Sequence, residues 1–352
     1  MTSSDHASDI NRVHTPMPVQ SALEATPPVG VTPPQVLAEE AAAGRRGAAW
    51  RLLHWIIQDD PRAVIAVSSL NDDRLAQNLL EFIALGTWAG KPFVVPVPLR
   101  TAHARTRLRT LFLPGSGMDY ARVERVLIAA VADKRPAMRE SAVYLLGIIG
   151  SRHATPLLIQ ALDDPISAVR SQAAKALGRV GDATAVPALL RSLHTADEQM
   201  SSQIDFALAR LGFAAVPALV AESKSSSPWI RWHCVRALGE ICDSRVLPVL
   251  VESLRDPDHS VAWMGAKKLI SFGKRCVEPL LHLLVVTDTS PWLVETASYV
   301  LHNMCLRNKK LRPYLEPVIQ SMHSVAYQIA TPQAARRALS QLIAEGVLMN
   351  GS

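Results

Sequence analysis

Two tryptophans, Trp232 and Trp263, stand 31 residues apart, and each is followed four residues later by a cation, Arg236 and Lys267. In a helix that offset places ring and cation one turn apart on one face. Tryptophan and arginine are among the residue types most enriched where protein surfaces bind. Counted along the chain at the same period, these two positions also carry Glu140 and Tyr144, Ser171 and Lys175, Ser202 and Phe206, and Glu295 and Tyr299. The row Phe206, Trp232, Arg236, Trp263, Lys267, Glu295 and Tyr299 therefore has the chemistry of non-covalent recognition. The competing reading packs the two tryptophans between neighbouring units. Trp229 and Trp292, directly after Pro228 and Pro291, are expected to wedge inter-helix turns. Asp205 falls where an apolar residue is normal, and a buried carboxylate needs partners.

Covalent chemistry has little support. The stretch from Gly86 to Pro92 has three residues between its glycines rather than four, follows a helical pattern and ends in proline, so it is not a phosphate loop. Gly115-Ser116-Gly117 is not a nucleophile elbow. His302 and Cys305 are a turn apart with no second pair at metal spacing, which predicts a surface histidine and a core thiol. No cofactor and no metal are expected. A basic stretch, Arg100, His103, Arg105, Arg107 and Arg109, reads as the solvated face of a helix whose Leu108, Leu111 and Phe112 point inward.

The elements that must position these residues follow from the period. A leucine recurs at Leu146, Leu177, Leu208, Leu238, Leu269 and Leu301, and a proline at Pro156, Pro187, Pro217, Pro248 and Pro279, in steps of 30 to 32 residues. Two landmarks on one period mean one structural unit stacked repeatedly. In residues 152–182 the first half is a helix with Pro156 in its first turn, where a missing N–H costs nothing. Asp163, Asp164 and Pro165 break the chain, and Val169, Ala173, Ala174 and Leu177 form the apolar stripe of a second helix. Gly178 and Gly181 are expected to loosen that helix end and permit the turn into the next unit. The fold class is all-α, a right-handed α-solenoid of stacked helix pairs whose second helices line a groove.

The stretches DDPISAVRSQAAKALGRVGD and ATAVPALLRSL resemble the bacterial HEAT-like repeat of the phycobilisome-lyase type, over roughly 119–305 and more loosely 306–345. The resemblance implies helix-pair repeats and protein binding. Some related proteins attach or remove bilin chromophores, an activity the repeat alone does not carry, and the resemblance makes a bilin-lyase-like or chromophore-handling protein an alternative. An apolar-Arg pair opens the second helix at Met138–Arg139, Val169–Arg170 and Ile230–Arg231. Ser201, Ala262 and Val294 replace the arginine elsewhere, so an unbroken Asp–Arg ladder between repeats is not expected. No His-Glu dipeptide occurs, so the metal-binding pattern of HEAT hydroxylases is missing.

The chain has 352 residues, 49% of them apolar and 5% aromatic, which suits small-residue helix packing. Lys and Arg against Asp and Glu count 1 to 5 over residues 1–40, 10 to 5 over 41–118, 20 to 19 over 119–305 and 6 to 2 over 306–352. A near-neutral array with basic flanks is modest for a nucleic-acid binder, which remains the second alternative. Residues 1–35, rich in Ser, Thr and Pro, are expected to be disordered. Residues 36–118 form a divergent helical cap, 119–305 the repeat array and 306–352 a C-terminal cap. Within the first cap, 61–86 reads as a degenerate repeat with Leu85 two periods before Leu146. No apolar run approaches the roughly 20 residues that span a bilayer. Four cysteines without CxxC spacing suit free thiols and a cytoplasmic location. The expected activity is a non-enzymatic scaffold for a protein partner. An acidic and apolar segment would suit Trp232, Trp263, Arg236 and Lys267.

Overall fold

The computed structural model describes residues 32–69, 72–93, 102–114, 118–286 and 291–347. The array begins with α6 (Tyr120–Ala130) and α7 (Pro136–Ile149). It continues as pairs: α8 (Thr155–Gln160) with α9 (Ser167–Val180), α10 (Val186–Leu193) with α11 (Glu198–Leu211), and α12 (Val216–Glu222) with α13 (Pro228–Ile241). Then come α14 (Leu247–Glu252) with α15 (His259–Leu269), α16 (Val277–Val286) with α17 (Pro291–Arg307), and α18 (Arg312–Met322) with α19 (Tyr327–Ala344). The second helices form a continuous row, each packed on the next from α7 through α17. The landmark leucines lie between this row and the first helices, and all six are fully buried. The result is an all-α solenoid.

Local chemistry explains the units. Pro156, Pro187, Pro217 and Pro248 sit in the first turns of α8, α10, α12 and α14. A short 3-10 turn precedes several first helices, capped by the side chains of Ser151, Asp182, Asp243 and Asn308, which accept backbone N–H bonds there. Gly181 ends α9 in the left-handed region at φ 72°. Gly178 has a different task from the one its position near the helix end implied. A Cβ built on it would lie 2.6 Å from the Ala207 Cα, and one on Gly147 would lie 2.6 Å from the Ala176 Cα. These glycines let neighbouring second helices touch backbone to backbone.

Arginine ties link some repeats and not others. Arg139 reaches forward to Asp164 with Nε–Oδ2 2.7 Å and Nη2–Oδ1 2.9 Å, and Arg231 reaches Asp256 with both contacts at 2.7 Å. All three arginines bond two carbonyls of their own inter-helix turn, and Arg170 keeps only these, to Asp164 and Pro165, because Thr195 stands where the next aspartate would be. The ladder is broken wherever either partner is lost.

The N-terminal helices are α1 (Pro34–Ala42), α2 (Arg46–Ile57), α3 (Pro61–Ser69), α4 (Asp73–Leu85) and α5 (Ala102–Thr110). Helix α4 packs directly on α6 and α7, so two sequence periods collapse to one structural step. The intervening chain holds α5 and an antiparallel hairpin, β1 (Thr87–Trp88) with β2 (Lys91–Pro92). Leu85 is 36% exposed, and α4 buries Leu75, Leu79, Leu80 and Phe82 instead. Buried Glu81 clamps the hairpin by accepting from Thr87 Oγ1 at 2.8 Å and from the Gly90 N–H at 3.1 Å. It also pairs with Arg135 at 3.1 Å, joining this part to the array. A carboxylate thus occupies the glycine N–H that a phosphate loop would offer.

Helix α1 starts at Pro34, inside the stretch read as tail, and residues 1–31 lie outside the described residues. The boundary at 305 and 306 falls within α17. Residues 198–222 form the one described stretch apolar and long enough for a membrane span, with mean hydropathy 1.7. Gly212, at φ 61° and ψ −135°, breaks it into α11 and α12, so neither piece is long enough to cross.

Candidate functional site

The first turns of α11, α13 and α15 leave a cleft of about 490 Å³ between them. Helix α11 contributes Glu198, Ser201 and Ser202, and α13 contributes Trp229, Trp232, His233 and Arg236. Asp258 and Ser260 close it from the start of α15. The spacing explains the lining on α13: Trp229, Trp232, His233 and Arg236 are three and four residues apart and share one face. Trp229 is 44% exposed, so it forms a wall of the cleft and does not wedge the turn. Both tryptophans meet the His233 ring in T-shaped contacts, at 4.4 Å for Trp229 and 4.8 Å for Trp232.

A buried polar cluster lies beneath the tryptophans. His233 Nδ1 is 2.7 Å from Asp205 Oδ2, and Arg236 Nη1 is 3.3 Å from the same oxygen. The Asp205 and His233 side chains are 3% and 2% exposed. Burial pushes the Asp205 carboxyl above its ordinary range, against the pull of the His233 hydrogen bond and of the His233, Arg236 and Lys268 charges. His233 Nε2 and Asp205 Oδ1 have no hydrogen-bond partner within the protein. Asp205 therefore anchors a side-chain cluster that joins α11 to α13. Burial pushes the neighbouring Cys234 thiol up to about 12, with Glu222 and Asp205 adding to the effect, so it is inert as a nucleophile at neutral pH.

The recognition row expected from the sequence divides in two. Trp232 and Arg236 belong to the cleft, with the guanidinium 5.5 Å from the Trp232 ring. Trp263 joins a second group, tilted against Tyr299 at 4.7 Å and stacked with His259 at 6.0 Å. His259 also lies 4.8 Å from the half-exposed Trp292 ring and 3.4 Å from Glu295. Phe206 is exposed with Arg210 above it at 5.6 Å, and Lys267 is exposed. The acidic partner was inferred from Arg236 and Lys267. Asp205 offsets Arg236, which removes half of that argument.

Sequence reasoning missed His233. Its signal was present: an unusual acid on one second helix and a histidine at the facing level of the next, 28 residues later. In the basic stretch, Leu108, Leu111 and Phe112 are buried as expected. Arg107 pairs with Asp59 at 2.5 Å and Arg109 stacks over Tyr144 at 4.8 Å, while Arg100 and the side chains of His103 and Arg105 lie outside the described residues. Cys305 is buried and His302 exposed, and all four cysteines are free. Among the described residues no cluster of three or more His, Cys, Asp or Glu is placed to hold a metal.

Stacked helix hairpins with an exposed aromatic row define a solenoid repeat protein. A family model described as HEAT repeats matches residues 123–204 and 203–269, so the α6 to α15 part of the array is built of HEAT-like repeats. Among solved structures, importin beta is 15% identical with a TM-score of 0.43, covering 87% of this chain and 47% of that one. The complex of CpcE and CpcF of phycocyanin lyase from Nostoc sp. PCC7120 is 19% identical with a TM-score of 0.32, covering 69% and 91%. An archaeal HEAT-like repeat protein from Thermococcus onnurineus NA1 is 15% identical with a TM-score of 0.35, covering 52% and 87%. No curated protein sequence matches the chain.

Proposed function

We propose that the protein is a non-enzymatic scaffold, working in the cytoplasm, that binds a protein partner along the row of second helices from α11 to α17. The observation that carries this reading is the run of large rings left open to solvent on that row. Phe206, Trp229 and Trp292 are 45%, 44% and 49% exposed, beside the partly buried Trp232, Trp263 and Tyr299. Exposed aromatic clusters with neighbouring charges have the composition of binding hot spots. Four unpaired thiols suit a reducing compartment.

The test is capture from nuclease-treated host lysate by the wild type beside a Trp232→Ala/Trp263→Ala variant. A protein retained by the wild type and lost by the variant, with equal helicity by circular dichroism, supports the assignment. Equal capture by a folded variant overturns it.

A further inference from the structure

The cleft between α11 and α13 carries more negative than positive charge. Glu198 and Asp258 line it from two different helices, and its guanidinium, Arg236, is matched by Asp205 at 3.3 Å. Beneath the tryptophans, a carboxylate can only accept, so His233 donates its Nδ1–H to Asp205. In the neutral ring the other nitrogen, Nε2, is then an acceptor. That atom is buried in a side chain 2% exposed and has no partner in the protein. An unmet buried acceptor asks for a donor. Indole faces attract cations through the ring quadrupole, and carboxylates beside them add to that attraction.

We infer that this cleft receives a lysine or arginine side chain of the partner protein. The inference rests on the scaffold reading above and gives it a chemistry opposite in sign to the one the sequence suggested. The aliphatic stem lies along Trp229 and Trp232, and the charged head is drawn to Glu198 and Asp258. Arg236 does not repel it strongly, because its charge is compensated by Asp205. The half-exposed Trp229 ring is the wall that yields as the side chain enters.

A random linear-peptide library selected against the full chain tests the inference. Wild-type selections should share a lysine or arginine whose replacement by norleucine weakens binding about tenfold. Glu198→Gln/Asp258→Asn should lose that preference. The pair removes charge without removing the cap, since asparagine still accepts the N–H bonds that Asp258 takes from Ser260 and Val261. Trp229→Ala should weaken the same peptides with unchanged circular dichroism. Selected peptides that share an acidic residue, or that bind equally with norleucine, overturn the cation assignment. If the Trp232→Ala/Trp263→Ala variant still loses them, the scaffold reading survives alone. Peptides that bind that variant as well as wild type overturn both.

Discussion

The helices α7, α9 and α11 and the helices α13, α15 and α17 occupy the same phase of the same repeat and use it oppositely. In the first group Gly147 and Gly178 meet Ala176 and Ala207, so the helices close on each other backbone to backbone. In the second group Gly239 meets the stem of Lys268 where Gly147 and Gly178 meet an alanine backbone, and Trp232, Trp263, Trp292 and Tyr299 gather in ring clusters along the row. Period alone sets where a side chain points. Side-chain volume then decides whether a face becomes a seam or a recess.

Closing the seam should have the largest effect. Gly178→Val forces a side chain onto the Ala207 backbone and should destabilise the fold by about 3 kcal/mol in urea unfolding. Asp205→Ala on the recess side leaves the buried His233 Nδ1–H without its acceptor, for a loss of about 2 kcal/mol. Arg139→Ala removes a two-contact ionic tie and should cost about 2 kcal/mol, against about 1 kcal/mol for Arg170→Ala, which makes only carbonyl bonds. A smaller change, within about 1 kcal/mol, is expected for Trp229→Ala, since its ring is half exposed. A loss as large as that of Gly178→Val would show that Trp229 holds the fold rather than a ligand.

Acid separates the same two regions. The Arg139 hydrogen bonds hold Asp164 below its ordinary 3.8, so that tie contributes fully above this value and is lost as pH falls through the folded value. Asp205 is raised, so its folded form keeps a proton longer than the unfolded chain. Its ionisation removes stability as pH rises from 3.8 through the folded value. The deficit of Asp205→Asn relative to wild type should therefore shrink from acid to neutral pH, while that of Asp164→Asn grows. Parallel slopes in the two variants would contradict this assignment.

The solenoid and its units were legible because landmark leucines and prolines repeat once per helix pair, and all six leucines are buried. Interruption of the arginine ladder was legible too. Ser201 stands at a ladder arginine's position and Thr195 at a ladder aspartate's, and both losses are visible in the letters themselves. The cleft was half legible. Trp232 and Arg236 followed from phase, but pairing Asp205 with His233 requires knowing which levels of neighbouring helices face each other. Trp229 was misread because the residue after a helix-opening proline was assigned to the turn, whereas in α13 it shares the face of His233, four residues on. The N-terminal part resisted because α4 packs on α6 and α7 across an intervening hairpin and α5, which put two sequence periods into one structural step.

The break in the arginine ladder has a mechanical consequence. Between α11 and α13 the tie is absent, with Ser201 and Ser225 at its two positions, and Ala209 stands where Gly147 and Gly178 make their seams. What bridges this step at the level of the cleft is the Asp205–His233 contact, reinforced by Arg236. In a stack of stiff coils a step with neither tie nor seam is a compliant joint, so flexing at this step should open and shut the recess between Ser202 and Trp229. Amide hydrogen exchange in the first turns of α11 and α13 should therefore outpace that of α7 and α9. Strain applied at either end of the molecule is then felt where the rings are.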